Sequence, residues 1–206
     1  MATSMIFGRD PEWTPPKEWP IPPVGGYTAD DLDRLPNLPR HTELIDGSLV
    51  FASPQTVFHM RAIRLLQASL LHATPPALDV YSRMTVTLGP RNRPEPDVLV
   101  VESEACTELK ETTFQPEDVV LAVEVVSEDS EARDRDTKPL KYAEARIPHF
   151  WRVELDEETE LPVVHVFELE PTTKAYVATG IHREQLKVSV PFPVKIDLTA
   201  INRRQP

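Results

Sequence analysis

Residues 118–127, DVVLAVEVVS, constrain this chain more than any other stretch. An almost unbroken apolar run rich in valine reads as a central strand covered on both faces. Glu124 stands in the middle of it. An ionised carboxylate there is costly unless it is paired, hydrogen-bonded or bound to a metal, and glutamate is rarely buried without a partner. A second run of the same kind, DVLVVE at 97–102, begins on Asp97 directly after Pro94-Glu95-Pro96. Taken alone, an aspartate following proline is a common turn residue. Taken with Glu124, 27 positions further on, it is a second acid on a second buried strand. If the two strands pair, both carboxylates can point at one spot.

The surrounding pattern alternates helix and strand signals. YTADDLDRL, from Tyr27, reads as a short helix with Thr28 as N-cap and acids in its first turn. HTELIDGSLVFAS reads as a hairpin or bent strand about Asp46-Gly47. Val57, Ile63, Leu66, Leu70 and Leu71 fall at helical spacing, and Thr74-Pro75-Pro76 ends that helix. DVYSRMTVTL, from Asp79, reads as one strand. A helix is expected from Asp136 to Arg146, with Pro139 tolerated only near its start. HFWRVEL, PVVHVFEL and AYVATG read as a C-terminal β-meander, with QLKVSV and VKIDL adding an edge strand and a closing segment. The fold class expected is α/β: a mixed sheet with buried centre strands, flanking helices and that meander. Residues 1–27 carry six prolines with Trp13 and Trp19, and read as an extended arm against the domain or a second subunit. Residues 28–206 read as one domain.

Composition narrows the function classes. No run of 18 or more apolar residues is present, so no spanning helix is expected, and the first residues lack a signal-peptide pattern. Cys106 is the single cysteine, which rules out a cysteine-based zinc site and fits a cytoplasmic location. The six histidines show no HxH or HExxH spacing, and neither GxGxxG nor a Walker loop occurs, so no nucleotide cofactor is implied. The net charge of −11 argues against a general nucleic-acid coat. Between Glu131 and Trp151, however, five basic residues stand against four acidic ones, a local balance of +1.

Two carboxylates with a backbone carbonyl and waters make the hard-oxygen site that Mg²⁺ prefers, and such an ion polarises a phosphodiester and lowers the pKa of a bound water. A nearby cation would complete the set. Asp134, Lys138 and Tyr142 are spaced i, i+4, i+8 and share one face if helical. His59, on the long helix, is a structural histidine or one that faces the site.

TELIDGSLV, PEPDVLVV and LAVEVVSEDSEARDRDTKPLKYAEARIPHFWRVE together resemble the Uma-two family of bacterial proteins, catalogued as restriction endonucleases within the PD-(D/E)XK nuclease superfamily. The likeness covers roughly residues 27–200 and is strongest over 94–154. It implies a restriction-endonuclease-like core, with Asp97 and Glu124 as metal ligands for Mg²⁺ or Mn²⁺ and Val125 lending its carbonyl. It also implies Glu43 as an upstream acid that assists the metal through water. The superfamily usually carries a lysine two residues after the second acid; here that position is Val126. The resemblance implies that the lysine has moved to the following helix as Lys138, with Tyr142 orienting it.

The expected function is therefore a metal-dependent endodeoxyribonuclease, acting on DNA as a homodimer and without membrane contact. Two other readings stand beside it. One is a weakly active or inactive binding module on the same fold, motivated by the acidic charge and the displaced lysine. The other is a hydrolase of a different phosphodiester, such as RNA.

Overall fold

A computed structural model describes residues 21–202 of the chain. The expected arm lies, over residues 1–20, outside the described residues. In the short helix α1 (Ala29–Leu32), Asp31 reaches back from the first turn and accepts from the Thr28 N–H and hydroxyl, each at 2.8 Å. Next comes a tight hairpin, β1 (Glu43–Ile45) with β2 (Ser48–Val50). It turns on Asp46 and Gly47, whose φ values of 51° and 80° are the left-handed pair of a type I′ turn.

The expected long helix is α2 (Val57–Ala73). Thr56 caps it, its Oγ1 accepting from the His59 N–H at 3.2 Å. Ala62, Ile63, Leu66 and Leu70 form its buried stripe. The single strand expected at 79–88 is broken in two: β3 (Leu78–Tyr81) and β4 (Thr85–Val86). Arg83 between them has φ 56°, a left-handed conformation that ends the extended run. The two halves then pair with different partners.

β5 (Val98–Glu102), β6 (Thr113–Phe114) and β7 (Val119–Val125) follow. A π-helical turn over Arg133–Thr137 leads into α3 (Lys138–Glu144), so the regular helix starts later than Asp136. The Lys138 N–H bonds to the Arg133 carbonyl five residues back, and Pro139 sits in the first turn of α3, where its missing N–H costs nothing. The meander is β8 (His149–Asp156), β9 (Leu161–Glu170) and β10 (Ala175–His182). β11 (Gln185–Val188) and β12 (Val194–Asp197) form a hairpin of their own rather than an edge strand of the main sheet. Their alternation buries Leu186, Val194 and Ile196 in the same cluster as the α2 stripe, where they are removed from water.

The six-stranded sheet has the order β10-β9-β8-β7-β5-β3. Only β7 and β8 run parallel, and α3 lies on the crossover between them. Side-chain alternation splits the core into two layers. Val98, Val100, Leu121, Val123, Trp151 and Val164 pack with α2; Leu99, Val101, Ala122 and Phe150 pack with Tyr142 and Ile147. The β5–β7 register pairs Val98 with Val123 and Leu99 with Ala122. Continued by one residue, it sets Asp97 opposite Glu124 on the α3 face.

Candidate active site

At the end of the sheet where β5 begins and β7 finishes, the two acids of the Val-rich strands meet. Asp97 Oδ2 accepts the Val125 N–H at 2.8 Å and lies 3.2 Å from His59 Nε2, brought over from the first turn of α2. Glu124 is 1% exposed. Its Oε1 accepts the Tyr142 hydroxyl at 2.5 Å and its Oε2 accepts from Lys138 Nζ at 3.1 Å. Both of its oxygens are therefore satisfied inside the core, as a buried carboxylate requires.

Lys138 is the centre of the cluster. Its Nζ stands 2.9 Å from Glu43 Oε1 and 3.3 Å from Asp134 Oδ1, besides its bond to Glu124. The i, i+4, i+8 spacing of Asp134, Lys138 and Tyr142 thus brings three buried polar groups to one point. Burial holds the Glu124 carboxyl well above its ordinary range, with Lys138 pulling the other way. Burial likewise raises Asp134 and, reinforced by Glu124, Tyr142. For Lys138 burial opposes the charge, but the carboxylates of Glu124, Glu43 and Asp134 outweigh it and keep the ammonium well above an ordinary lysine.

Glu43 reaches this point because its hairpin is fastened to the 91–95 segment. Leu44 and Arg93 exchange backbone hydrogen bonds at 3.1 and 2.8 Å, and the Glu95 N–H donates to Glu43 Oε1 at 2.7 Å. Arg93 anchors that segment, its Nη1 donating to both carboxylate oxygens of Asp33 at 2.8 and 2.9 Å. Lys141 binds Asp46 at 2.7 Å and ties the hairpin tip to α3. In PEPD the prolines are buried while Glu95 and Asp97 both face the cleft. Sequence reasoning missed Glu95 as a cleft residue, and with it His41, whose Nδ1 lies 2.5 Å from Glu95 Oε1. The alternation of proline and acid is the one local signal for Glu95; His41 is 54 positions away and carries none.

Every expected site residue lies in this cleft or on its wall: Glu43, His59, Asp97, Glu124, Val125, Asp134 and Lys138 line it, and Tyr142 backs Glu124. Val125 meets Asp97 through its N–H. Three of the five basic residues of the expected patch at 131–151 are paired with acids of the chain, while Arg133 lines the cleft and Arg146 is exposed. Arg135 pairs with Glu131 and Glu154, Lys141 with Asp46, and Lys138 with the acids. The acidic loop Asp156–Glu160 caps the β8–β9 turn.

The donor set matches a hard divalent cation in chemistry. Three carboxylates, Glu43, Glu124 and Asp134, surround one ammonium, Asp97 stands beside them in the same cleft, and burial disfavours the charge of two of the four acids, an imbalance that a dication offsets. Among the described residues, no group of three or more His, Cys, Asp or Glu side chains stands in a metal-holding arrangement; Lys138 Nζ stands between the carboxylates instead.

The model of the Uma2 family, described as "Putative restriction endonuclease", matches residues 29–200. Among solved structures the chain is similar to one described as a putative nuclease belonging to DUF820, from Anabaena variabilis ATCC 29413. The two share 17% identity over 80% of this chain and 89% of that one, with a TM-score of 0.61. At that identity the likeness concerns the fold, and it agrees with the restriction-endonuclease-like sheet and helices described above. No curated protein matches the sequence.

Proposed function

The chain belongs to the Uma2 family, and from that premise we propose that it is an endonuclease that hydrolyses DNA phosphodiester bonds with Mg²⁺ or Mn²⁺. The observation that carries the reading is the pairing of β5 with β7, which sets Asp97 against Glu124 with Lys138 Nζ 3.1 Å from the latter. Asp97 and Glu124 would hold the cation, with Glu43 assisting and the Val125 carbonyl as a further oxygen. When bound, such an ion lowers the pKa of a coordinated water and stabilises charge on the phosphate. His59 fixes the Asp97 carboxylate in place, and Tyr142 does the same for Glu124. Lys138, kept charged by its neighbours, donates to a phosphate oxygen as negative charge grows there. Water adds to phosphorus in line as the P–O3′ bond breaks, and the proton it releases is balanced by one taken up from solvent at the departing O3′, which leaves a 5′-phosphate and a 3′-hydroxyl. Cutting both strands calls for two copies of the site, hence a homodimer.

The test is cleavage of supercoiled plasmid with Mg²⁺ or Mn²⁺, beside the double variant Asp97→Ala, Glu124→Ala. Nicked or linear product from the wild type alone is expected. No product with either metal, or equal product from the variant, overturns the reading. A melting temperature that rises with Mn²⁺ in the wild type and not in the variant would report cation binding apart from cleavage. Competition between RNA and DNA settles the substrate. One observation favours a second reading, a binding module with little turnover: Lys138 is engaged by three carboxylates at once. That reading expects nucleic-acid binding without product.

A further inference from the structure

The 32 residues from Gly47 to Leu78 contain no Asp or Glu, in a chain where 33 of 206 residues are acidic. At that density about five acids would be expected, on simple composition. This acid-free stretch includes all of α2, which starts at the cleft with His59 and runs away from it. Beyond the cleft, α2 borders a groove against β12 and the 3₁₀ turn over Leu198–Asn202. The groove's cationic lining is Arg61, Arg64, His72 and Lys195, all exposed, and no acid lines it. The small side chains of Ala68 and Ser69 also line it. At the cleft end, Arg83 lines the cleft wall and approaches Met60 Sδ at 3.8 Å, so basic groups continue from the cleft onto the helix. Elsewhere in this molecule the exposed Arg135 and Arg183 are each paired with acids, Arg135 with Glu131 and Glu154 and Arg183 with Asp156. A groove with four cationic side chains and no acid among its described lining residues, on a protein of net charge −11, attracts a polyanion.

We propose that this groove is the track on which the sugar-phosphate backbone of the substrate nucleic acid lies as it leaves the cleft. From Arg61 to His72 the helix rises about 16 Å, the length of roughly five base-pair steps along a duplex axis. Arginine is suited to such contacts because its planar fork grips phosphate oxygens in pairs. The track explains how an acidic protein holds a polyanion: no acid is among the groove's lining residues. The inference deepens the nuclease reading and rests on it.

The test is fluorescence anisotropy with a labelled 24-base-pair duplex, without divalent cation, from 50 to 300 mM KCl. The wild type is compared with the triple variant Arg61→Ala, Arg64→Ala, Lys195→Ala and with the double variant Arg61→Lys, Arg64→Lys. Each phosphate that is no longer neutralised lowers the log–log salt slope by about 0.9, so the triple variant should lose two to three units of slope. Its Kd at 150 mM should rise at least tenfold, and the lysine variant should keep the wild-type slope. The same proteins are assayed with Mn²⁺ on bis(4-nitrophenyl) phosphate, a diester too small to reach the groove. Its hydrolysis should be unchanged in the triple variant, while plasmid cleavage falls at least tenfold. An unchanged slope and affinity in the triple variant overturns the track. So does a triple variant whose sedimentation mass changes in place of its DNA affinity, which would make the groove an interface between copies of the chain. A wild type that hydrolyses the small diester but binds no duplex at 50 mM KCl overturns the track and leaves the hydrolase reading standing. A wild type that does neither sinks both.

Discussion

Lys138 Nζ lies within 3.3 Å of three carboxylates in a nearly water-free position. Removing one partner of a buried ionic cluster leaves the others uncompensated, a loss of about 3–5 kcal/mol. Lys138→Met should therefore destabilise the protein by about that much at neutral pH as well as abolish cleavage. The penalty should shrink in acid. Glu124 already titrates above its unfolded range because it is buried, and without the ammonium it would rise further. The folded state then binds more protons than the unfolded one, so stability falls as pH rises above the ordinary glutamate range. Urea unfolding of both proteins from pH 5 to pH 8 measures this; an equal penalty at all pH values would refute it. Tyr142→Phe is the finer probe. It keeps the ring beside Phe150, whose centroid is 5.9 Å away, but strips Glu124 Oε1 of its donor. A loss of about 1–3 kcal/mol is expected, and the acidic limb of the pH–rate profile should move to higher pH because Glu124 binds its proton more tightly. At this scale the site was legible where charge contradicted its surroundings. Glu124 in a valine run, and Lys138 one helical turn from Asp134 on one side and from Tyr142 on the other, carry their own signal. His41 does not, because its meeting with Glu95 depends on how two distant segments fold together.

The turn of the β1–β2 hairpin shows what one element contributes to the site. Gly47 has φ 80°, and a Cβ there would meet the Arg91 side chain at 2.9 Å and the Tyr27 carbonyl at 3.2 Å. Gly47→Ala should cost about 1–2 kcal/mol through the left-handed backbone alone. It should also displace Glu43, which the same hairpin carries. Cleavage should fall by more than the melting temperature suggests, with Mn²⁺ still bound through Asp97 and Glu124. A metal titration of the activity beside a thermal melt distinguishes this from simple unfolding, which would lower both in step. The Asp46-Gly47 turn was readable because its chemistry is local. The break of the 79–88 strand at Arg83 was not, since a left-handed arginine has no sequence signature. Nor was the π-helical turn at Arg133–Thr137, which arises where α3 must deliver Lys138 to a point set by β5 and β7. The β11–β12 alternation told which side chains are buried, but not that α2 rather than the sheet edge would cover them.

For the whole molecule, the two Val-rich strands do two jobs. Their side chains alternate between a core under α2 and a core under α3, so both layers depend on the same sheet. The site sits where those strands end, between the start of α2 and the start of α3, and its geometry therefore depends on both layers at once. If residues 28–206 are one domain, loss of one layer should carry the other with it. Trp151 is fully buried on the α2 side, while Tyr142 and Phe150 report the α3 side. In a background of Trp13→Phe and Trp19→Phe, Trp151 fluorescence and far-ultraviolet dichroism should give coincident urea transitions. Leu66→Ala, in the α2 stripe, should shift both transitions together by about 2–5 kcal/mol, the usual cost of such a cavity. The same variant should reduce plasmid cleavage near its midpoint in proportion to the unfolded fraction and not before. Transitions that separate would mean that the α2 layer, with His59 and the basic groove, opens while the α3 layer holds Lys138 against Glu124, and the site would then be assembled from two independently stable halves.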